Sequence, residues 1–206
     1  MSIVYPLAHP STPEFSDMVW RPEFAIATTR SVFSKRVRAY DWLGFAWVFE
    51  CSLPPMTRAQ AADWQAFFLR LKGTLGTFLL SLPAGAGGTA RGGVGGTPRV
   101  NGTSQEGVVL ITDGWTAGQS PIIRAMDYFL LESNLYAVTA DANSDGSGNA
   151  TLDIMPPLRE SPADNAILDV TDPQMTARLL EPMSFSISTA QHYFTSFIAI
   201  EAVGEA

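Results

Sequence analysis

Cysteine is nearly missing from this chain of 206 residues: Cys51 stands alone, within the apolar run Phe45 to Leu53. One thiol builds neither a disulfide framework nor a cysteine-based zinc site. Histidine is almost as scarce, with only His9 and His192. That removes most His-centred triads and leaves Cys51 without an evident base, so it reads as a buried structural thiol. Charge is sparse as well: 16% of residues are charged, and the formal net charge is −7. No basic run exceeds Lys35-Arg36-Val37-Arg38, so counterion release gives nucleic-acid binding no support. No apolar run is long enough to span a bilayer, and the N-terminus shows no basic region followed by an apolar core. The expectation is a protein made in a cytoplasm, without membrane insertion.

The motifs of chemistry are missing too. There is no zinc motif, nucleophile elbow or Walker sequence. Asp141-Ala-Asn143-Ser-Asp145-Gly146 matches the first half of a calcium loop, but position 12 is Leu152 and the flanks read as strands, which makes it an Asx-rich hairpin loop. Asn101-Gly-Thr103 and Asn149-Ala-Thr151 are sequons on paper only, since nothing is seen to export the chain. No residue is therefore assigned a catalytic, cofactor-binding or metal role, no cofactor is expected, and the chain is not read as an enzyme.

What is present is apolar and aromatic: 46% hydrophobic residues, with 12 Phe, 5 Trp and 5 Tyr. That supplies core for one large β domain or two smaller ones, and so low a charged fraction suggests that protein covers part of the surface. Pro6, Pro10, Pro13 and Pro22 make residues 1–22 an extended arm, expected to lay its Tyr5, Phe15, Met18 and Trp20 against a neighbour. Strands follow at Glu23 to Thr29 and Trp42 to Leu53, with Phe45, Trp47 and Phe49 on one face. The stretch Ser31 to Tyr40 between them carries no clear signal.

Thr57-Arg-Ala-Gln60 is a capping box, and Trp64, Phe67, Phe68 and Leu71 fall on one helical stripe that stops at Gly73. A strand from Gly76 to Leu82 precedes the glycine-rich run Ala84 to Thr97, which lacks nucleotide-loop spacing and reads as a flexible crossing, or as a loop ordered only by a neighbour. Beyond it come short strands at Val108 to Thr112, Tyr128 to Glu132, Leu135 to Ala140 and Ala150 to Met155. They are separated by Asp113-Gly114, Ser133-Asn134 and the polar stretch Asp141 to Asn149, the pattern of a small antiparallel barrel. Strands at Ala166 to Val170, Met175 to Glu181, Phe185 to Ser188 and Tyr193 to Ala202 end the chain, the last apolar on both sides as in a central strand. The fold class is mainly β: a discontinuous domain over 1–85 and 172–206, interrupted by an inserted barrel over 86–171.

The order Leu53-Pro-Pro-Met56, Ala62-Asp-Trp64-Gln-Ala-Phe67, Leu71-Lys-Gly73-Thr-Leu-Gly76-Thr-Phe78, Asp127-Tyr128-Phe, Tyr136-Ala-Val138, Ser144-Asp145-Gly-Ser-Gly-Asn149-Ala-Thr-Leu152 and Pro156-Pro-Leu-Arg159 resembles the short distal tail proteins of long-tailed (siphovirus) bacteriophages. Such proteins often carry glycine before the Asp127 position, where this chain has Met126. The resemblance implies a β-sandwich ring domain with one helix and an inserted OB-like barrel. It further implies a homohexameric ring at the tail tip, or baseplate, of the virion that joins the tail tube protein to the baseplate hub protein and anchors tail fibre or side proteins. A carbohydrate- or receptor-binding module acting through the barrel is the alternative; it requires Trp115 and Tyr128 side by side on an open face. An undetected hydrolase is a third reading with little beneath it.

Overall fold

The computed structural model describes residues 3–82, 90–188 and 192–204. Strands β1 (Leu7–Ala8), β2 (Asp17–Arg30) and β3 (Val37–Ser52) lead to helix α1 (Arg58–Leu71) and strand β4 (Thr77–Ser81). Next come β5 (Gly96–Val100), β6 (Gly107–Trp115), β7 (Tyr128–Leu131), β8 (Asn134–Val138) and β9 (Ala150–Leu158). The chain returns through β10 (Gln174–Leu179), β11 (Ser186–Ile187), β12 (Tyr193–Phe194) and β13 (Ser196–Glu201). The protein is mainly β, in two compact units: Met1–Leu79 with Thr176–Glu205, and Leu80–Met175. The sequence reading put these junctions at 85/86 and 171/172.

The first unit is built on a six-stranded sheet in the order β1-β4-β10-β13-β3-β2. β13 pairs antiparallel with both β3 and β10 and so is a central strand, with Phe197 and Ala199 buried on one face and Ile198 and Ile200 half-buried on the other. Helix α1 begins at the N-cap Thr57, whose backbone N–H donates to Gln60 Oε1 at 3.0 Å, and it ends as Lys72 turns left-handed at φ 56°. Its stripe of Trp64, Phe67, Phe68 and Leu71 is buried. Phe67 meets Phe78 of β4 edge-on at 5.6 Å, and Phe68 meets Phe197 of β13 at 5.3 Å. Burial of each such side chain contributes about 1.5–3 kcal/mol before entropy is charged, so the stripe fixes the helix on the sheet.

Residues 3–22 pack on their own unit and end in its sheet, which corrects the expectation of an arm that belongs to a neighbour's surface more than to its own core. Leu7 is buried in β1, parallel to Phe78 of β4, and the Tyr5 hydroxyl donates to the Arg70 carbonyl at 2.8 Å. His9 stacks on Trp64 at 5.8 Å, and Phe15 packs against both Trp64 and Phe197. The prolines do hold this segment extended, but an extended segment can add an edge strand and cover a helix of its own unit. From Asp17 onward it is strand β2.

The second unit is a five-stranded antiparallel sheet in the order β5-β6-β9-β8-β7. The segment after β9 closes it into a barrel. Leu168 N–H donates to the Pro98 carbonyl at 3.0 Å beside β5, while Leu130 of β7 and Asp169 exchange bonds of 2.8 and 2.9 Å. The interior holds Val100, Leu110, Phe129, Tyr136, Val138, Leu152, Ile154 and Leu168. Asp113-Gly114, read as a turn, instead lies inside β6. Gly114 has φ +75°, and a Cβ there would come within 2.3 Å of the Thr97 carbonyl oxygen, at the bulge where the β5–β6 register shifts. The left-handed residue marks a bulge here, not a hairpin end.

The glycine run resolves differently along its length. Residues 84–89 of the expected crossing lie outside the described residues. From residue 90 on it is no flexible crossing: Ala90 N–H donates to Val170, Gly93 N–H to Pro121, and Thr116 N–H to Gly95. A Cβ on Gly92 would sit 2.0 Å from the Ile122 carbonyl oxygen, so glycine serves a close backbone approach.

Candidate functional site

The residues that might carry chemistry resolve into structural roles. Cys51 is buried in β3, and burial pushes its pKa up to about 12. In the Asx-rich loop, Asp141 Oδ1 accepts from the Ala125 amide and Asn143 Oδ1 from the Ser120 hydroxyl, each at 2.8 Å. Asp145 is held below the usual carboxylate range by the Asn149 side chain and backbone, then by the Ser147 amide. Its oxygens are engaged in closing the turn, and no group of three potential metal ligands occurs among the described residues. Asn101 is exposed on the barrel, as is Thr151 of the second sequon. Trp115 and Tyr128 are both buried, Trp115 donating from Nε1 to Thr112 Oγ1 at 2.8 Å, so they form no open aromatic platform. Among the described residues no helix is long and apolar enough to cross a membrane.

What remains without a purpose inside the fold is the hairpin of β2 and β3. Their register runs from Asp17 opposite Ser52 to Arg30 opposite Val37, shifting once between Phe24 and Ile26. At its base, one face is core: Met18, Trp47, Phe49 and Cys51 are buried. The same alternation continues outward as Phe24, Ile26 and Val37, which are 45%, 50% and 63% exposed. Phe24 and Phe45 meet edge-on at 5.0 Å, and beyond them every residue from 25 to 44 is exposed except Ser31 in the turn, which is half-buried. At the bulge Leu43 is left-handed, its N–H received by Asp41 Oδ1, and Trp42 and Leu43 stand 72% and 76% exposed.

The turn is closed by Ser31 N–H to the Arg36 carbonyl at 2.9 Å and Lys35 N–H to the Ser31 carbonyl at 3.0 Å. It presents Val32 and Phe33, the latter 98% exposed, among Arg30, Lys35, Arg36 and Arg38. No acidic residue occurs from Phe24 to Tyr40. The sequence reading gives two or three strands here, with Ser31 to Tyr40 left open, and misses that they run on to form a projecting hairpin. The available signal was the matched pair of weakly β segments around Ser31 to Arg36, obscured because neither has a polar face and a buried face.

A second exposed apolar feature of the same unit is a groove of about 410 Å³ between the end of α1 and the segment after β10, lined by Phe68, Leu69, Leu179, Pro182, Met183 and Phe185. Charge is divided unevenly between the units. Leu80–Met175 carries eleven Asp and Glu against four Arg, whereas the other unit has nine of each sign. Compared with known proteins, the chain matches no family model, and no curated protein is significantly similar to it in sequence.

Proposed function

We propose that this chain is a structural subunit of a bacteriophage tail tip that closes into a ring, joins the tail tube to the hub, and carries fibres or side proteins outward. The observation that carries the proposal is the β2–β3 hairpin, which projects Phe24, Ile26, Val32, Phe33, Trp42 and Leu43 into solvent. A two-stranded ribbon without a core is marginal in water, and a contiguous apolar surface of this kind marks a protein contact. The groove beside α1 offers a different surface on the same unit, and unlike patches meeting head to tail close a ring when the rotation allows. The resemblance of the ordered motifs to distal tail proteins implies six subunits in the ring. Native mass measurement, backed by images of the particle, tests the reading. Replacing residues 25–44 by a two-residue Asn-Gly turn, which joins the paired Phe24 and Phe45, should leave a folded monomer and abolish the assembly. A wild-type chain that is monomeric both in solution and in the particle would overturn it.

A further inference from the structure

The hairpin's tip differs from its shaft, and the difference points to a particular contact. Along the shaft the exposed large side chains Phe24, Ile26, Tyr40, Trp42 and Leu43 stand among Glu23, Thr28, Thr29 and Asp41, whereas at the end Arg30, Lys35, Arg36 and Arg38 surround Val32 and Phe33 with no acidic residue. An apolar centre with a cationic rim fits a surface with an apolar centre and an anionic rim. The barrel unit carries such a surface. On β6, Leu110 and Thr112 point inward, while Val109 and Ile111 point outward at 42% and 47% exposure. On β9, Leu152 and Ile154 point inward, while Asp153 lies opposite Val109 and Thr151 opposite Ile111. Glu106, just before β6, is exposed, and Asp113 is faced by Arg99 of β5, so Asp153 and Glu106 carry the unbalanced charge.

We propose that the cationic tip of one copy docks on the outer β6–β9 face of the barrel in a second copy of this chain. The inference rests on the ring reading and names the surfaces that meet. Charge favours a second copy over other occupants: all of the chain's excess of negative charge lies in the barrel unit, which would repel its equivalents in an assembly unless a cationic element of a neighbour intervened. The groove beside α1 is the weaker partner for this tip, since Arg70 and Lys72 lie in the same turn of the helix as its wall residue Leu69. Tip and sheet face are unlike surfaces, so the contact propagates head to tail.

The test uses the full chain with Phe33→p-benzoylphenylalanine as a photo-crosslinker, on a mixture of isotopically light and heavy copies. The expected product joins residue 33 of one copy to residues 107–115 or 150–158 of the other. The double change Arg36→Glu with Arg38→Glu should weaken self-association at least about tenfold, as should Glu106→Lys with Asp153→Lys, and combining both pairs should restore most of the loss. A ring whose residue 33 crosslinks only to the neighbour's sheet or helix unit overturns this inference and leaves the ring reading intact. Crosslinking to nucleic acid, lipid or another protein within an intact ring has the same consequence. A chain monomeric both in solution and in the particle overturns both.

Discussion

The carboxylate of Asp127, buried to 1% exposure, is bound by Arg91 twice: its Oδ2 accepts the Arg91 backbone N–H and its Oδ1 accepts Nε, both at 2.8 Å. Oδ2 also receives the Arg124 amide at 2.9 Å, and the Arg91 guanidinium reaches on to the Ala125 carbonyl. Asp127 in turn holds the Arg91 pKa above its ordinary value. A stretch dense in glycine is thereby tied to the barrel just where its composition suggested a free linker.

Removing that carboxylate leaves the Arg91 and Arg124 amides without their acceptor. Asp127→Ala should lower stability by about 2–3 kcal/mol, since bonds to a buried charged group cost this much to lose. Trypsin should then cut after Arg91, a site protected in the parent. Urea unfolding and timed digestion check the two outcomes, and an unchanged midpoint would show that the tie is dispensable.

The aromatic cluster around α1 predicts two losses of one kind. Phe67→Ala should cost about 3–5 kcal/mol through the cavity left against Trp64 and Phe78. Deleting residues 1–16 should also destabilise the unit, because Leu7, His9 and Phe15 leave the core and uncover Trp64. Thermal unfolding measures both. A shortened chain that melts at the parent temperature would restore the view of this segment as an arm for a neighbour.

Met126, half exposed before Asp127, has φ +66°, the left-handed region that glycine enters without steric cost. Met126→Gly should therefore stabilise the barrel by about 1 kcal/mol. Loss of stability on this change would mean that the Met126 side chain makes a contact worth more than the relief of strain.

Cys51 offers a test by pH. Its folded pKa, about 12, lies above the ordinary 9.0, so its contribution to stability is full below pH 9 and is lost as pH rises toward 12, where the unfolded thiol ionises and the folded one does not. Cys51→Ala should flatten that part of the stability profile. In the folded parent the thiol should resist a water-soluble disulfide reagent at neutral pH and react at once in denaturant. Rapid labelling of the native chain would contradict its burial.

Sequence alone determined the elements whose signals are local. The stripe Trp64, Phe67, Phe68 and Leu71 repeats with a helix's own period and follows a capping box, so α1 was legible without any partner. The barrel strands were legible because short β-type runs stand between turn residues, β7 and β8 being apolar almost throughout and β6 and β9 alternating over one buried face, and β13 because its central residues are apolar on both sides. Tertiary structure decided the rest. Gly92 and Gly114 look alike in composition to a linker or a turn, and only the carbonyls of Ile122 and Thr97 approaching them reveal a close contact and a bulge. Prolines at the N-terminus specify an extended chain but not what it lies upon, which was settled by the ring of Trp64 beneath His9. The projecting hairpin was hidden for the complementary reason: periodicity records burial, and from Ala25 to Gly44 every residue but Ser31 is exposed.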